Sequence, residues 1–285
     1  MQNMEPRDND GLTEQEFIER YDKDRYDKPA VTVDMLIFTI NKERDYALEL
    51  LLIERGGHPF IGKWAIPGGF VKMDESLEAA ATRELKEETG LSDIYMEQLY
   101  SFGDVGRDPR MRVISVAYMA LVPKEKLKPV AGDDAVNVRW FAVHRDEKSG
   151  KLELEADETP NADGAANKGA ASGTAAITAA YDVAGEEVLK CKKKLTGADL
   201  AFDHEKVINT ALERLKNKVE YTDIAFELAG EKFTLTQLQM VFEAVLGKKL
   251  HKPNFRRGIA GRVEKTDELE TKSSNRPSIL YTKKK

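Results

Sequence analysis

Residues 68–91 read "GGFVKMDESLEAAATRELKEETGL" and hold six acidic side chains in twenty-four positions. Successive residues of a helix turn by about 100°, so Glu84, Glu87 and Glu88 lie within one sector of it. Like charges three or four apart on a helix repel. A hard divalent cation such as Mg²⁺ or Mn²⁺, which takes oxygen ligands and keeps several waters, turns that repulsion into attraction. The Gly68-Gly69 pair lets the preceding loop turn tightly and offers a carbonyl oxygen to the same cation. Such a site suits cleavage of a diphosphate, where a metal neutralises phosphate oxygens and lowers the pKa of a bound water.

The carboxylates need a helix to hold them and a core to hold the helix. A helix is expected over 75–89, with Asp74 or Ser76 as N-cap and Gly90 just past its end. Leu77, Ala81 and Leu85 form the stripe that anchors it. "AVTVDMLIFTI" (30–40), "YALELLLIER" (46–55), "MRVISVAYMALVP" and "NVRWFAV" read as strands. "GGHPFIGKWAIPGGF" reads as a long loop. Strands and helices mix without a regular βαβ repeat, so the class is α+β. "TPNADGAANKGAASG" (159–173) has almost nothing to bury and is expected to be a mobile loop, flanked by strands of an appended ribbon. From His204 a helical period returns, with Val207, Ala211, Leu212 and Leu215 on one face. "TLTQLQMVFEAVLG", capped by Thr234 or Thr236, and "KPNFRRGIAG" are two more helices, and "RVEKTDELETKSSNRPSILY" reads as two strands around a polar turn. Three helices and a ribbon make a winged-helix pattern. The expected divisions are 1–29 as an N-terminal segment, 30–145 as the first domain, 146–203 as a β-ribbon insertion and 204–285 as the second domain.

The chain has 285 residues, 41% of them hydrophobic and 33% charged, with a net charge of −6. That balance suits a protein with a sizeable core and argues against wholesale coating of nucleic acid. Charge is unevenly spread. Residues 204–285 hold 17 Lys and Arg against 11 Asp and Glu, a net of +6, leaving −12 for the remainder. Cys191 is the only cysteine, so an internal disulfide and a cysteine metal cluster are both excluded. A reducing, cytoplasmic location is expected. The N-terminus is unlike a signal peptide, and "MLIFTI" is too short to span a bilayer.

Gly69, Glu75, Arg83-Glu84-Leu85, Glu87-Glu88 and Gly90-Leu91 satisfy nine defined positions, for which chance agreement is on the order of 10⁻⁹ or less per window. The pattern resembles the complete signature box of the Nudix hydrolases, a resemblance covering about residues 30–145. It implies an α/β/α sandwich with a mixed sheet. It also implies Gly68, Glu84, Glu87 and Glu88 as metal-site residues, with Glu87 as ligand or water-activating base and Arg83 orienting the acids. Relatives often add a later carboxylate, and "VAGDDAVNVRW" offers Asp133 and Asp134. "GDVGRDPRMRVISVAYMAL" resembles ADP-ribose pyrophosphatases, making Arg107 and Arg110 candidate phosphate partners. Trp64 or Phe60 could pack a base or ribose. The stretch from "YTDIAFELAG" to "RPSILY" resembles the winged helix of Nudix-type transcription regulators that sense ADP-ribose or a related ligand. On that likeness Lys252, Arg256 and Arg257 are candidate DNA contacts. The leading expectation is Mg²⁺- or Mn²⁺-dependent hydrolysis of ADP-ribose to AMP and ribose 5-phosphate, joined to DNA binding. The alternative is a ligand-sensing regulator with little or no hydrolysis. A homodimer is expected, with "FIERYDKDRY" near the N-terminus as a pairing element.

Overall fold

The computed structural model describes residues 6–284, apart from 93, 127–134, 147–148, 159–174, 182–186 and 271–276. Its centre is β1 (Ala30–Asn41), an apolar run buried from Val33 to its end. A strand covered on both faces needs apolar residues at odd and even positions alike. β1 runs parallel to β6 (Val113–Leu121) and antiparallel to β2 (Ala47–Arg55). β3 (Trp64–Ala65) pairs with β2, and β4 (Gly68–Phe70) pairs with β1 so that Asp34 faces Gly68 and Val33 faces Gly69. β5 (Tyr95–Phe102) lies outside β6. On the other side β7 (Ala135–Arg145) pairs with β2, completing a mixed sheet.

Alternation along these strands sorts side chains to two faces. Val33, Met35, Ile37, Leu51, Val116, Tyr118 and Ala120 pack beneath α2 (Leu77–Thr89) through Ala80, Ala81 and Leu85. Leu36, Phe38, Leu50, Leu52, Met119 and Phe141 face α3 (His204–Val219), α4 (Ile224–Ala229) and α5 (Leu235–Leu246), meeting Val207, Ile208, Leu215, Phe226 and Val241. The sandwich is therefore α/β/α, and its second helical layer is built from the C-terminal third of the chain.

Two expectations on organisation change here. The 146–203 segment is not a separate ribbon. β8 (Leu152–Glu158) joins β7, β10 (Glu187–Thr196) joins β8, and β9 (Ala175–Tyr181) follows β10, so the main sheet simply continues. Leu152, Leu154 and Ala156 bury every second residue into the common core, which is why this strand stays on the sheet. The Gly/Ala-rich stretch 159–173 lies outside the described residues. Likewise α3 is not confined to a second body, because its apolar face seals the sheet. The remaining winged-helix elements are α6 (Lys252–Ile259) and a ribbon of β11 (Val263–Glu270) with β12 (Ser278–Lys283), to which Phe233 adds a short bridge at Tyr281. Near the N-terminus α1 (Glu14–Arg20) is capped by a Thr13–Glu16 box and buries no residue. No helix among the described residues is long and apolar enough to cross a membrane.

Candidate functional site

Ser76 caps α2 by accepting from the Ala79 N–H, and Gly90 ends it in the left-handed conformation at φ 72°. Between those caps the helix presents its glutamates differently. Glu84 and Glu88 are buried, each 7% exposed, whereas the Glu87 side chain is 54% exposed. Arg83 binds the group together. It donates to both oxygens of Glu75 (2.8 and 3.2 Å), to Glu84 Oε1 (2.7 Å) and to Glu87 Oε2 (3.3 Å). The guanidinium holds Glu75 at about 2, well below the usual carboxylate range. Burial pushes Glu84 up against the opposing pull of Arg83. Glu88 has no such counter-ion: burial, then Glu84 and Glu87, push it up to about 7. Its Oε2 is buried without a hydrogen-bond partner.

An orphaned buried carboxylate oxygen beside two further carboxylates is a donor set that fits a hard cation. Gly69 fits the same purpose, since a Cβ there would collide with the Glu84 carboxylate, and at Gly68 it would strike the Val33 carbonyl. Among the described residues no three acidic, His or Cys side chains are already gathered around one point. Arg83 occupies one Glu84 oxygen and would have to yield it.

The other sequence-derived candidates divide. Trp64 is 2% exposed and stands edge-on to Phe141 at 4.7 Å, so it is a core side chain and presents no face to a ligand. Burial of its large apolar area outweighs any role at the surface. Phe60, the other aromatic of that loop, lies 4.7 Å from Phe202. Arg110 is half-exposed, chelates Asp108 (2.8 and 3.0 Å) and stacks over Phe70 at 5.6 Å. The Arg107 side chain is only 6% exposed. Its fork engages Asp203, at 3.0 and 2.6 Å, rather than open solvent, and Asp34 lies 3.7 Å away. Asp133 and Asp134 lie outside the described residues.

Asp34, Ser115, Asp203 and His204 complete a buried polar cluster that sequence reasoning missed. Ser115 donates to Asp34, and the Ile66 N–H donates to His204 Nδ1 at 2.9 Å. Burial lowers His204 and keeps it neutral. The one available signal was Asp34, a lone acid inside the apolar run "VTVDMLIF".

The winged helix offers a second surface. Pro253 sits in the first turn of α6, and Phe255 and Ile259 anchor it, with Phe255 at 5.2 Å from Phe242. Lys252, Arg256 and Arg257 are exposed, and none has an acidic partner among the described residues. Arg257 donates only to Asn254 Oδ1, at 3.1 Å. The neighbouring cations are committed elsewhere: Lys248 to Glu220, Lys249 to Glu243 and Arg262 to Asp223. Three unpaired cations on one short helix can meet a phosphate backbone.

Comparison with known proteins matches both surfaces. A NUDIX domain model matches residues 28–158, and an NrtR DNA-binding winged helix domain model matches residues 225–282. The ADPR responsive transcriptional repressor NtrR of Acinetobacter baylyi is 34% identical over 275 residues, covering 94% of this chain and 88% of that protein. The ADP-ribose pyrophosphatase of Methanocaldococcus jannaschii is 42% identical over 119 residues, covering 42% of this chain and 65% of that protein. The crystal structure of Shewanella oneidensis NrtR complexed with a 27mer DNA superposes with a TM-score of 0.61 at 29% identity, covering 89% of this chain and 93% of that one.

Proposed function

The chain belongs to the Nudix proteins that carry an NrtR-type winged helix, and from that premise we propose that it is a transcription regulator whose Nudix domain takes ADP-ribose. What carries this reading is likeness over 94% of the chain to an ADPR-responsive repressor, joined to the exposed cations of α6, which have no acidic partner among the described residues. Binding of ADP-ribose at the carboxylate side would then change the affinity of α6 for DNA. The test uses a duplex selected by the full-length protein from a random library. Anisotropy of that duplex should respond to added ADP-ribose and not to ribose 5-phosphate alone.

A second activity is favoured by one specific observation, the intact glutamate helix with Glu88 Oε2 buried and without a hydrogen-bond partner among the described residues. On this reading the protein also hydrolyses the ADP-ribose diphosphate to AMP and ribose 5-phosphate. Glu84, Glu87 and Glu88 would hold Mg²⁺ or Mn²⁺, which when bound neutralises phosphate oxygens and acidifies a water. Arg83 would keep its grip on Glu75 while yielding its Glu84 oxygen to the cation. Glu87, the exposed member, would act either as a further ligand or as the carboxylate that takes a proton from the attacking water. Chromatographic detection of AMP from ADP-ribose and Mg²⁺, absent with EDTA, supports hydrolysis; ADP-ribose bound but unchanged over hours limits the domain to sensing.

A further inference from the structure

Loop 103–112 and the first turn of α3 are joined by contacts that neither the metal site nor the DNA surface uses. The Arg107 fork grips Asp203, immediately before α3, at 3.0 and 2.6 Å. Lys206, one turn further on, pairs with Asp104 at 2.5 Å. The stretch leading to Gly68 is tied to the same place: the Ala201 N–H donates to the Trp64 carbonyl at 2.8 Å, and the Ile66 N–H to His204 Nδ1 at 2.9 Å. At its other end α3 buries Leu215 and Val219 in the core shared with Phe226, Leu238 and Val241 of α4 and α5. One helix of 16 residues, about 24 Å long, thus touches both loops beside the carboxylate site and the winged helix.

We propose that the Arg107–Asp203 fork is a latch through which occupancy of the diphosphate site reaches the winged helix, a role that rests on the ADP-ribose-responsive reading above. Two carboxylates share this one buried guanidinium, since Asp203 and Asp34 lie 2.6 and 3.7 Å from the same nitrogen. A diphosphate arriving at loop 103–112 competes for Arg107 with an acceptor of higher charge. When Arg107 turns to the ligand, Asp203 and Asp34 are left facing each other with no cation between them. Breaking a buried pair while leaving its acid behind is strongly unfavourable, so the start of α3 moves away. The two arrangements, Arg107 on Asp203 or Arg107 on phosphate, are the discrete states that coupling requires. Asp203 acts through Arg107 and is therefore a positioning residue.

The test uses full-length protein, the selected duplex and ADP-ribose in EDTA, so that ligand is not consumed. Asp203→Asn keeps the shape of the side chain but removes the charge that holds Arg107. With Arg107 left to Asp34 and no acid at 203 to be stranded, addition of saturating ADP-ribose should change the variant's duplex affinity by less than about twofold, since the coupling is gone. Asp203→Glu, which restores the carboxylate, should recover at least part of the response. Wild-type hydrogen exchange supplies a readout independent of any variant: ADP-ribose should accelerate exchange at the Ile66 and Ala201 amides, although ligands ordinarily protect nearby loops. A responsive wild type with an equally responsive Asp203→Asn variant overturns the latch alone, as does slowed or unchanged exchange at both amides. A wild type that binds ADP-ribose by calorimetry in the same buffer but whose duplex affinity ignores it overturns the regulatory reading and the latch with it.

Discussion

At the scale of single residues, burial and charge conflict most sharply at Glu88. Its folded pKa is raised to about 7 against an ordinary 4.5, so the folded chain keeps a proton that the unfolded chain releases. The associated stability is present below about pH 4.5 and is lost as pH rises through about 7. A divalent cation bound by Glu88, as proposed, would replace that proton. The Mg²⁺-induced rise in melting temperature should therefore be larger at pH 8 than at pH 6, as differential scanning fluorimetry can show; equal shifts at both would contradict a carboxylate site at Glu88. Glu88→Gln should flatten the pH dependence and abolish the Mg²⁺ effect without unfolding the chain. If the domain is hydrolytic, turnover should also fall by roughly two orders of magnitude or more. The glutamates were legible because their chemistry is local: three acids, one arginine and a glycine pair within twenty-one positions. Trp64 was not, because an aromatic type does not say which way its ring faces. Arg107 was placed in a ligand role, but its partner Asp203 lies 96 residues away and nothing local links them.

Among the elements, α2 and α6 were legible for related reasons. Each has a capping residue or proline at its start and a clear division of faces. α4 was not read as a helix. It has six residues, five of them buried, so no polar face reveals a period. The β8–β10 strands were seen as strands, but their pairing partner was not, because register on a distant sheet is a tertiary property. Two outcomes belong to this scale. Gly69→Ala should displace Glu84 and remove Mg²⁺ binding measured by calorimetry while leaving α2 helical, since the added methyl enters space already held by the carboxylate. Arg256→Ala with Arg257→Ala should weaken duplex binding and reduce the slope of log K against log salt by roughly one to two, according to how many phosphates are lost. ADP-ribose affinity should be unchanged in that double variant; an unaltered slope would remove α6 from the DNA surface.

For the whole molecule, the shared core is the consequence least visible in the sequence. The basic C-terminal third reads as an appended reader, yet α3, α4 and α5 share one core with Leu36, Phe38 and Met119 of the sheet. A fragment ending at residue 203 would uncover that face and should aggregate where the full chain stays dispersed, which light scattering would report. The exposed Phe17, Ile18, Tyr21 and Tyr26 near α1 lead us to expect a homodimer, and sedimentation giving only monomer at micromolar concentration would contradict it. The balance of activities also shifts at this scale. The glutamate spacing made hydrolysis the leading expectation because it is the sharper motif, whereas likeness along the full chain puts regulation first. The most direct test is one titration: full-length protein against its selected duplex, in EDTA, with and without saturating ADP-ribose. We expect ADP-ribose to weaken the duplex Kd by about tenfold or more, a coupling of about 1.4 kcal/mol; superimposable curves, with ADP-ribose binding verified by calorimetry in the same buffer, would contradict a ligand-responsive regulator.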